Sequence, residues 1–246
     1  ENAAELVFLG LYALQHRGQE SAGIASLSPE GTLVQKGLGL VADVFKAAPP
    51  IWDAPDATQA TGHVRYSTAG SSAIENAQPI AVEFDCWHLG LAHNGNLSNG
   101  GVLREHLKQT GAILQGTTDT ELILHLAARH HHTGDTPWKA LQNALRQVEG
   151  AYSILAQCED GLAAMRDPFG FRPLAMGRLD GAVVFASETR AFDIVGATYE
   201  RDVKPGEFIL VRPDGTVESR QFDTSSRRAH CVFELEPRFP GWIEGI

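Results

Sequence analysis

Cysteine is scarce. Three are present in 246 residues, Cys86, Cys158 and Cys231, at wide spacing. That spacing is neither a disulfide framework nor a zinc pattern, and it fits a reducing cytoplasm. Positive charge is also in short supply. Lys and Arg number 20 against 30 Asp and Glu, a formal charge of −10. Nucleic acids and anionic membranes need a basic patch, so neither is expected as a partner. No apolar run approaches the length of a membrane-spanning helix. The opening residues, ENAAELVFLG, have no basic start and no cleavage site, so no signal peptide is expected. They also lack an initiator Met. No repeat and no low-complexity stretch occurs. The ten His form no spaced metal motif, and His130-His131-His132 reads as a solvated helix end, where imidazolium suits the dipole.

Hydrophobic residues make up 43% of the chain, enough for an ordinary core. Residues 3 to 15 predict a helix: Ala4, Leu6, Leu9, Ala13 and Leu14 share a face, Asn2 suits the N-cap, and Gly18 stops it. Strands are predicted at 23–27, 32–36, 62–68, 80–84 and 87–93, with a Pro-rich loop at 48–57. Helices follow near 100–109, 119–132 and 137–148. Beyond Gly150 the chain is again strand-rich, at 151–157, 162–166, 173–178, 182–187, 207–212 and 216–222, with hairpin turns at Asp180-Gly181 and Asp214-Gly215. A short helix is expected from Glu188 to Ala197. This order is not βαβ alternation, which argues against a doubly wound parallel sheet. The expectation is an α+β fold of two mainly antiparallel sheets with helices on their outer faces.

Four short stretches are unusually polar for their setting. In LGLAHNGNLSN (89–99) an apolar run stops at Asn94-Gly95, the strongest short turn signal in a sequence. Yet a helical pattern follows, not a return strand. In GHVRYSTAG (62–70), Arg65 sits in a strand-like run. It either faces water on an edge strand or turns inward, where burial demands an anion such as a substrate carboxylate. In GTTDTELILHLAA (116–128), Thr117, Thr118 and Asp119 precede an apolar helix. Helix capping explains them, and so does an anion for an ammonium group. In LQHRGQESAGI (14–24), His16-Arg17-Gly18 ends a helix. Taken together, a cation, an anion and an Asn side chain beside a Gly N–H suit a free α-amino acid whose side-chain carbonyl is attacked. The last two form an oxyanion hole, a feature whose loss of one donor elsewhere costs roughly 2.7–4 kcal/mol.

The stretches ALQHRGQESAGI, GHVRYST, AHNGNL, TTDTELILHL and RDPFGFRPL, in this order, resemble the glutamine-hydrolysing (class II glutamine amidotransferase) domain of the glutamine phosphoribosylpyrophosphate amidotransferase, or amidophosphoribosyltransferase, family. HRGQES with RDPFGFRPL is closer to this family than to glucosamine-phosphate synthase, which usually reads Tyr-Asp after Arg-Gly. The resemblance implies a four-layer αββα sandwich, the N-terminal-nucleophile hydrolase fold, and a place in purine synthesis. It implies that Arg65 binds the glutamine α-carboxylate and Asp119 its α-ammonium. Asn94 and Gly95 would form the oxyanion hole, Thr68 would help to hold the substrate, and His16, Arg17 and Gly18 would shape the pocket floor.

The sequence also departs from the family. The family nucleophile is a Cys at the mature N-terminus, followed by Gly and an apolar strand, and its own α-amino group can act as the base. This chain opens at Glu1, already at the helix. The first strand and the nucleophile are therefore expected to be missing, and the polypeptide to be inactive. Cys86 and Cys158 are expected to be small packing residues. After CVFE, the run LEPRFPGWIEGI leaves the family pattern. Residues 1–234 thus read as the glutaminase domain and 235–246 as a divergent tail, with the phosphoribosyltransferase domain absent. Cys231 falls where iron–sulfur members place one ligand, but such a cluster needs four Cys. No cofactor is expected here, and Mg and a 4Fe–4S cluster only in a full-length enzyme. The implied partners are glutamine and, through the absent domain, phosphoribosyl pyrophosphate, with a homo-oligomer at full length. The alternative is a non-catalytic module that keeps the pocket to bind glutamine or a subunit.

Overall fold

The computed structural model describes residues 2–28, 31–46, 51, 57–66, 73–84 and 87–222. Helix α1 (Ala3–Ala13) starts where Asn2 Oδ1 accepts the Ala4 N–H at 2.9 Å. A single 3-10 turn, Gln15–Arg17, follows it, and Gly18 returns the chain to an extended course. Strands β1 (Ser21–Ser28), β2 (Gly31–Leu38) and β3 (Gln59–Arg65) make an antiparallel sheet in the order β2-β1-β3, with the short helix α2 (Val41–Val44) between β2 and β3 in the chain. Gly62 lets α1 lie directly on β3, because a Cβ there would be 2.4 Å from Val7 Cγ1.

A six-stranded sheet forms the centre. It contains β4 (Ile80–Phe84), β5 (Trp87–Leu97), β6 (Gly150–Cys158), β7 (Gly161–Arg166), β11 (Glu207–Val211) and β12 (Val217–Gln221), in the order β12-β11-β7-β6-β5-β4. Helices α3 (Gly100–Gln109), α4 (Asp119–His132) and α5 (Pro137–Leu145) separate β5 from β6 in the chain. Leu122, Ile123, Leu126 and Leu141 of these helices share a core with Leu89, Leu91 and Ile154 of the sheet. Period-2 alternation turns the intervening residues the other way. Gly90 therefore faces β1, where a Cβ would meet Ala25 Cβ at 3.7 Å.

A third sheet, β10-β8-β9, comprises β8 (Ala175–Leu179), β9 (Ala182–Ala186) and β10 (Thr198–Asp202), with α6 (Arg190–Val195) between β9 and β10. Met176 and Phe185 of this sheet pack with Ala164 and Ile209 of the six-stranded sheet. Leu14, next to α1, joins Ala191 and Phe192 of α6 in a further core. The two three-stranded sheets thus lie on the same face of the large one, with α1 and α6 outside them and α3–α5 beyond the large sheet. This is the α+β, four-layer αββα arrangement that the resemblance implies, with its upper β-layer in two pieces.

Between those pieces lies an apolar cavity of about 360 Å³. Residues 59–63 of β3 form one wall and 182–186 of β9 the other, Leu6 and Val7 of α1 cover it, and Asn94 and Ser153 line it from the large sheet. Among the described residues β3 pairs only with β1, and β9 only with β8, so each presents a second edge without a strand partner. Asp180 and Gly181, at φ of 47° and 88°, turn β8 into β9 as their sequence predicts. No helix is long and apolar enough to cross a membrane among the described residues.

Candidate active site

Arg65 is the last residue of β3 and only 6% exposed. It turns inward, and its Nη1 meets Glu20 Oε2 at 3.2 Å. The Glu20 N–H donates to the Arg65 carbonyl at 3.0 Å, so the chain that leaves the 3-10 turn is pinned to the end of β3. His16 and Arg17 share one carboxylate, Glu188, at 3.0 Å from His16 Nε2 and 2.5 Å from Arg17 Nη1. Glu188 sits just before α6. It carries no local sequence signal, because its partners are 172 and 171 residues away. Thr68 lies outside the described residues, as do Cys86, Cys231 and the tail from residue 223.

The Asn94-Gly95 turn does not occur. Strand β5 runs on to Leu97, with Asn94 opposite Ser153 and Gly95 opposite Tyr152. The glycine is required for space: a Cβ there would lie 2.0 Å from the Ala151 carbonyl oxygen and 2.7 Å from His93 Nε2. The Asn94 side chain lines the cavity. Backbone direction then places the neighbouring donor. Alternate residues of a strand send their N–H groups to the same edge. The His93 N–H donates to Gln78 Oε1 at 2.8 Å, and the Leu97 N–H to Asp119 Oδ2 at 2.8 Å. Gly95 lies between them, so its N–H emerges on that edge, beyond Ile80, where β4 begins.

Asp119 opens α4, but Thr118 is the capping residue, accepting the Glu121 N–H at 3.4 Å. Asp119 instead reaches back to the end of β5. Burial pushes its carboxyl up, against the Leu97 N–H and the nearby Arg104 guanidinium, which pull it down. Gly100 leaves room for it, since a Cβ there would be 2.8 Å from Asp119 Oδ1.

Two histidines, His63 of β3 and His93 of β5, lie two positions before Arg65 and Gly95 on their strands. Burial lowers His63 to about 4, while a hydrogen bond to the His93 backbone opposes the shift and Arg65 and Arg17 add to it. His93 is lowered to about 3, first by burial and then by His63. Of the predicted site residues, Asn94 lines the cavity, Gly18 lies against the Arg65 backbone, His16 and Arg17 meet at Glu188, and Asp119 meets the Leu97 N–H, two residues beyond Gly95.

The remaining described thiol takes no part. Cys158 is buried at the end of β6, and burial pushes it up to about 12, so it is not a thiolate at neutral pH. With three Cys and this one sealed in the core, these residues by themselves do not fit a four-cysteine cluster.

A family profile described as "Glutamine amidotransferase domain" matches residues 63–193. The chain belongs to this family. Its relatives include an amidophosphoribosyltransferase of Rhizobium etli, 44% identical over 237 residues, which cover 95% of this chain and 47% of that protein. The chloroplastic amidophosphoribosyltransferase 1 of Arabidopsis thaliana is 46% identical over 94% of this glutamine amidotransferase chain and 40% of its own length. Among solved structures, glutamine phosphoribosylpyrophosphate amidotransferase from B. subtilis, complexed with ADP and GMP, superposes with a TM-score of 0.87 at 40% identity. The match covers 95% of this chain and 50% of that one. The chain therefore spans about half the length of the relatives it matches.

Proposed function

We propose that the chain is the glutaminase half of an amidophosphoribosyltransferase, releasing ammonia from glutamine for the amination of phosphoribosyl pyrophosphate in purine synthesis. The observation that carries this reading is the Gly95 N–H, which emerges beside Asn94, between Gln78 and Asp119. Arg65 takes the glutamine α-carboxylate, and Asp119 takes the α-ammonium. The amide oxygen lies against Asn94 Nδ2 and the Gly95 N–H. A thiolate adds to the amide carbon, and these two donors hold the resulting oxyanion. Collapse of the adduct breaks the C–N bond. The proton that the nucleophile's α-amino group took from the thiol passes to the leaving nitrogen, which departs as ammonia, and water then cleaves the thioester to glutamate and returns the thiol.

No described residue supplies the thiolate at this end of the cavity. An extended segment between β3 and β9 would bring its terminus towards Asn94, and the apolar walls suit such a segment. Phosphoribosyl pyrophosphate, Mg and subunit contacts belong, in this reading, to sequence beyond the 246 residues.

Ammonia release tests the proposal. Residues 1–246 alone are expected to give none above background, since loss of the nucleophile in a comparable triad leaves only about 10³–10⁴-fold over water. A chain with a Cys-Gly strand ahead of Asn2 is expected to regain it, and Arg65→Ala in that chain to lose glutamine binding. Enzymatic rates from the 246 residues alone, or glutamine binding unaffected by Arg65→Ala, contradict the assignment. The inert Cys158 favours one second reading, a module that binds glutamine without chemistry. That reading holds if the extended chain binds glutamine and stays inactive.

A further inference from the structure

Asn76 and Gln78 are 1% and 6% exposed, on a segment that carries none of the groups assigned to glutamine. Strand β4 begins at Ile80, opposite Leu91. The next position on that edge of β5 is His93, with no strand residue facing it, yet both its backbone groups are satisfied. Gln78 Oε1 accepts the His93 N–H at 2.8 Å, and Gln78 Nε2 donates to the His93 carbonyl at 3.2 Å. A primary amide carries the donor and acceptor of a peptide group on one carbon. Gln78 therefore continues the ladder by one rung and then ends it. A backbone strand that continued in register would have paired with Gly95 and consumed the N–H assigned to the oxyanion.

Asn76 makes the same kind of contact with the other side of the site. Its Oδ1 accepts the Thr117 N–H at 2.8 Å, and its Nδ2 donates to Thr117 Oγ1 at 2.9 Å. Thr117 precedes the cap of α4 by one residue and Asp119 by two. Arg104 secures the same turn, donating to the carbonyls of Gly116 and Thr118 at 2.9 and 3.1 Å. The segment is itself anchored. Lys36 Nζ donates to the Ala77 carbonyl at 2.7 Å, and Gly23 admits the Gln78 carbonyl oxygen, which a Cβ would approach to 2.4 Å.

We propose that Asn76 and Gln78 are positioning residues for amide hydrolysis, Gln78 setting the Asn94–Gly95 donors and Asn76 setting Asp119. This rests on the reading of those three residues as glutamine contacts. The two amides act on different stages of the reaction. Gln78 governs groups that tighten on the oxyanion, whereas Asn76 governs a group that binds the ground-state ammonium.

The test uses the chain extended with its Cys-Gly strand, with kcat and KM for glutamine measured separately. Gln78→Met is expected to lower kcat by on the order of 100-fold, the cost of misplacing catalytic groups by about an ångström, with KM within about threefold. Gln78→Glu keeps the acceptor for the His93 N–H but sets a carboxylate against the His93 carbonyl, and a similar kcat loss is expected. Asn76→Ala is expected to raise KM about tenfold with a smaller effect on kcat, and Asn76→Asp, which keeps the Thr117 N–H bond, to recover part of it. A purely structural role would lower the melting temperature and the folded fraction while leaving both constants per folded molecule unchanged, and that result overturns the proposal. So does an equal effect of both residues on kcat and KM. If Arg65→Ala spares glutamine binding, the site reading fails and this inference with it. If Arg65→Ala abolishes binding while Gln78→Met is silent, the inference alone fails.

Discussion

Gly18 lies against the backbone of Arg65: a Cβ on the glycine would sit 2.5 Å from the Arg65 carbonyl carbon and 2.7 Å from its nitrogen. The backbone at Gly18 is extended, with φ of −170°, so its demand is for space and not for an unusual conformation. Gly18→Ala must push the end of β3 away and carry the guanidinium with it. A tenfold loss of glutamine affinity, about 1.4 kcal/mol, is expected, alongside about 1–3 kcal/mol of destabilisation from overpacking. Titration calorimetry on the folded variant reads the first and urea unfolding the second. Unchanged affinity would separate Arg65 from the ligand.

A more severe effect is expected at Gly95. A methyl group there would meet the Ala151 carbonyl oxygen at 2.0 Å, and backbone cannot rotate aside as a side chain can. Gly95→Ala should separate β5 from β6 locally and abolish ammonia release in the extended chain, with a loss of stability at or above the roughly 1–3 kcal/mol range of overpacked cores. Wild-type turnover in a soluble Gly95→Ala chain would remove this N–H from the chemistry.

Asp119→Asn isolates charge from shape. The amide oxygen can still accept the Leu97 N–H, now 2.8 Å from Asp119 Oδ2, so the joint between α4 and β5 should hold. Stability is expected to change by less than about 1 kcal/mol, as for a neutral hydrogen bond replacing a charged one. Glutamine affinity is expected to fall at least about tenfold through loss of the ammonium partner. A variant that melts normally and binds glutamine normally would show that the carboxylate serves only the joint.

Two histidines, His93 buried and His63 half-buried in the cavity wall, set a pH dependence. His63 and His93 titrate at about 4 and about 3 in the folded chain, against about 6.5 when unfolded. Between these values the unfolded state binds more protons, so the stability from both rings is present above about pH 6.5 and is lost as pH falls towards 4 and 3. At ~1.36 kcal/mol per pKa unit, the full loss is on the order of 3 kcal/mol for His63 and 5 kcal/mol for His93, of which about 2 kcal/mol each is gone by about pH 5. Urea midpoints at about pH 7.5 and about pH 5 measure that first part, and His93→Leu should flatten the curve. A midpoint that does not fall on acidification would mean that the rings accept protons where they lie.

The hairpin at Asp180-Gly181 was legible because its signal is local: two residues that accept positive φ, between two apolar runs. Asn94-Gly95 carries the same signal and means something else. What decides there is Ser153 and Tyr152, nearly sixty residues away, which keep the strand paired straight through the dipeptide. Strand β10, TYERD, gave no warning because four of its five residues are exposed and no apolar alternation marks it. Residue type singled out Arg65 and Asp119 as proposed glutamine contacts. It was not enough to find Glu20, which pairs with Arg65 across 45 residues, or Gln78, whose amide acts as backbone. Partners of that kind are visible only once the strand order is known.

The cavity between β3 and β9 is also a volume, about 360 Å³ of it, lined mainly by apolar side chains. Where such space stays unwetted, unfolding collapses it, and the chain plus its solvent shrinks. Hydrostatic pressure favours the smaller state, with volume changes of unfolding on the order of 20–100 mL/mol that scale with internal void. These 246 residues should therefore yield to compression more readily than their melting temperature suggests. An extended segment laid between the two strand edges would shift the pressure midpoint more than the thermal one, because it removes the compressible space itself.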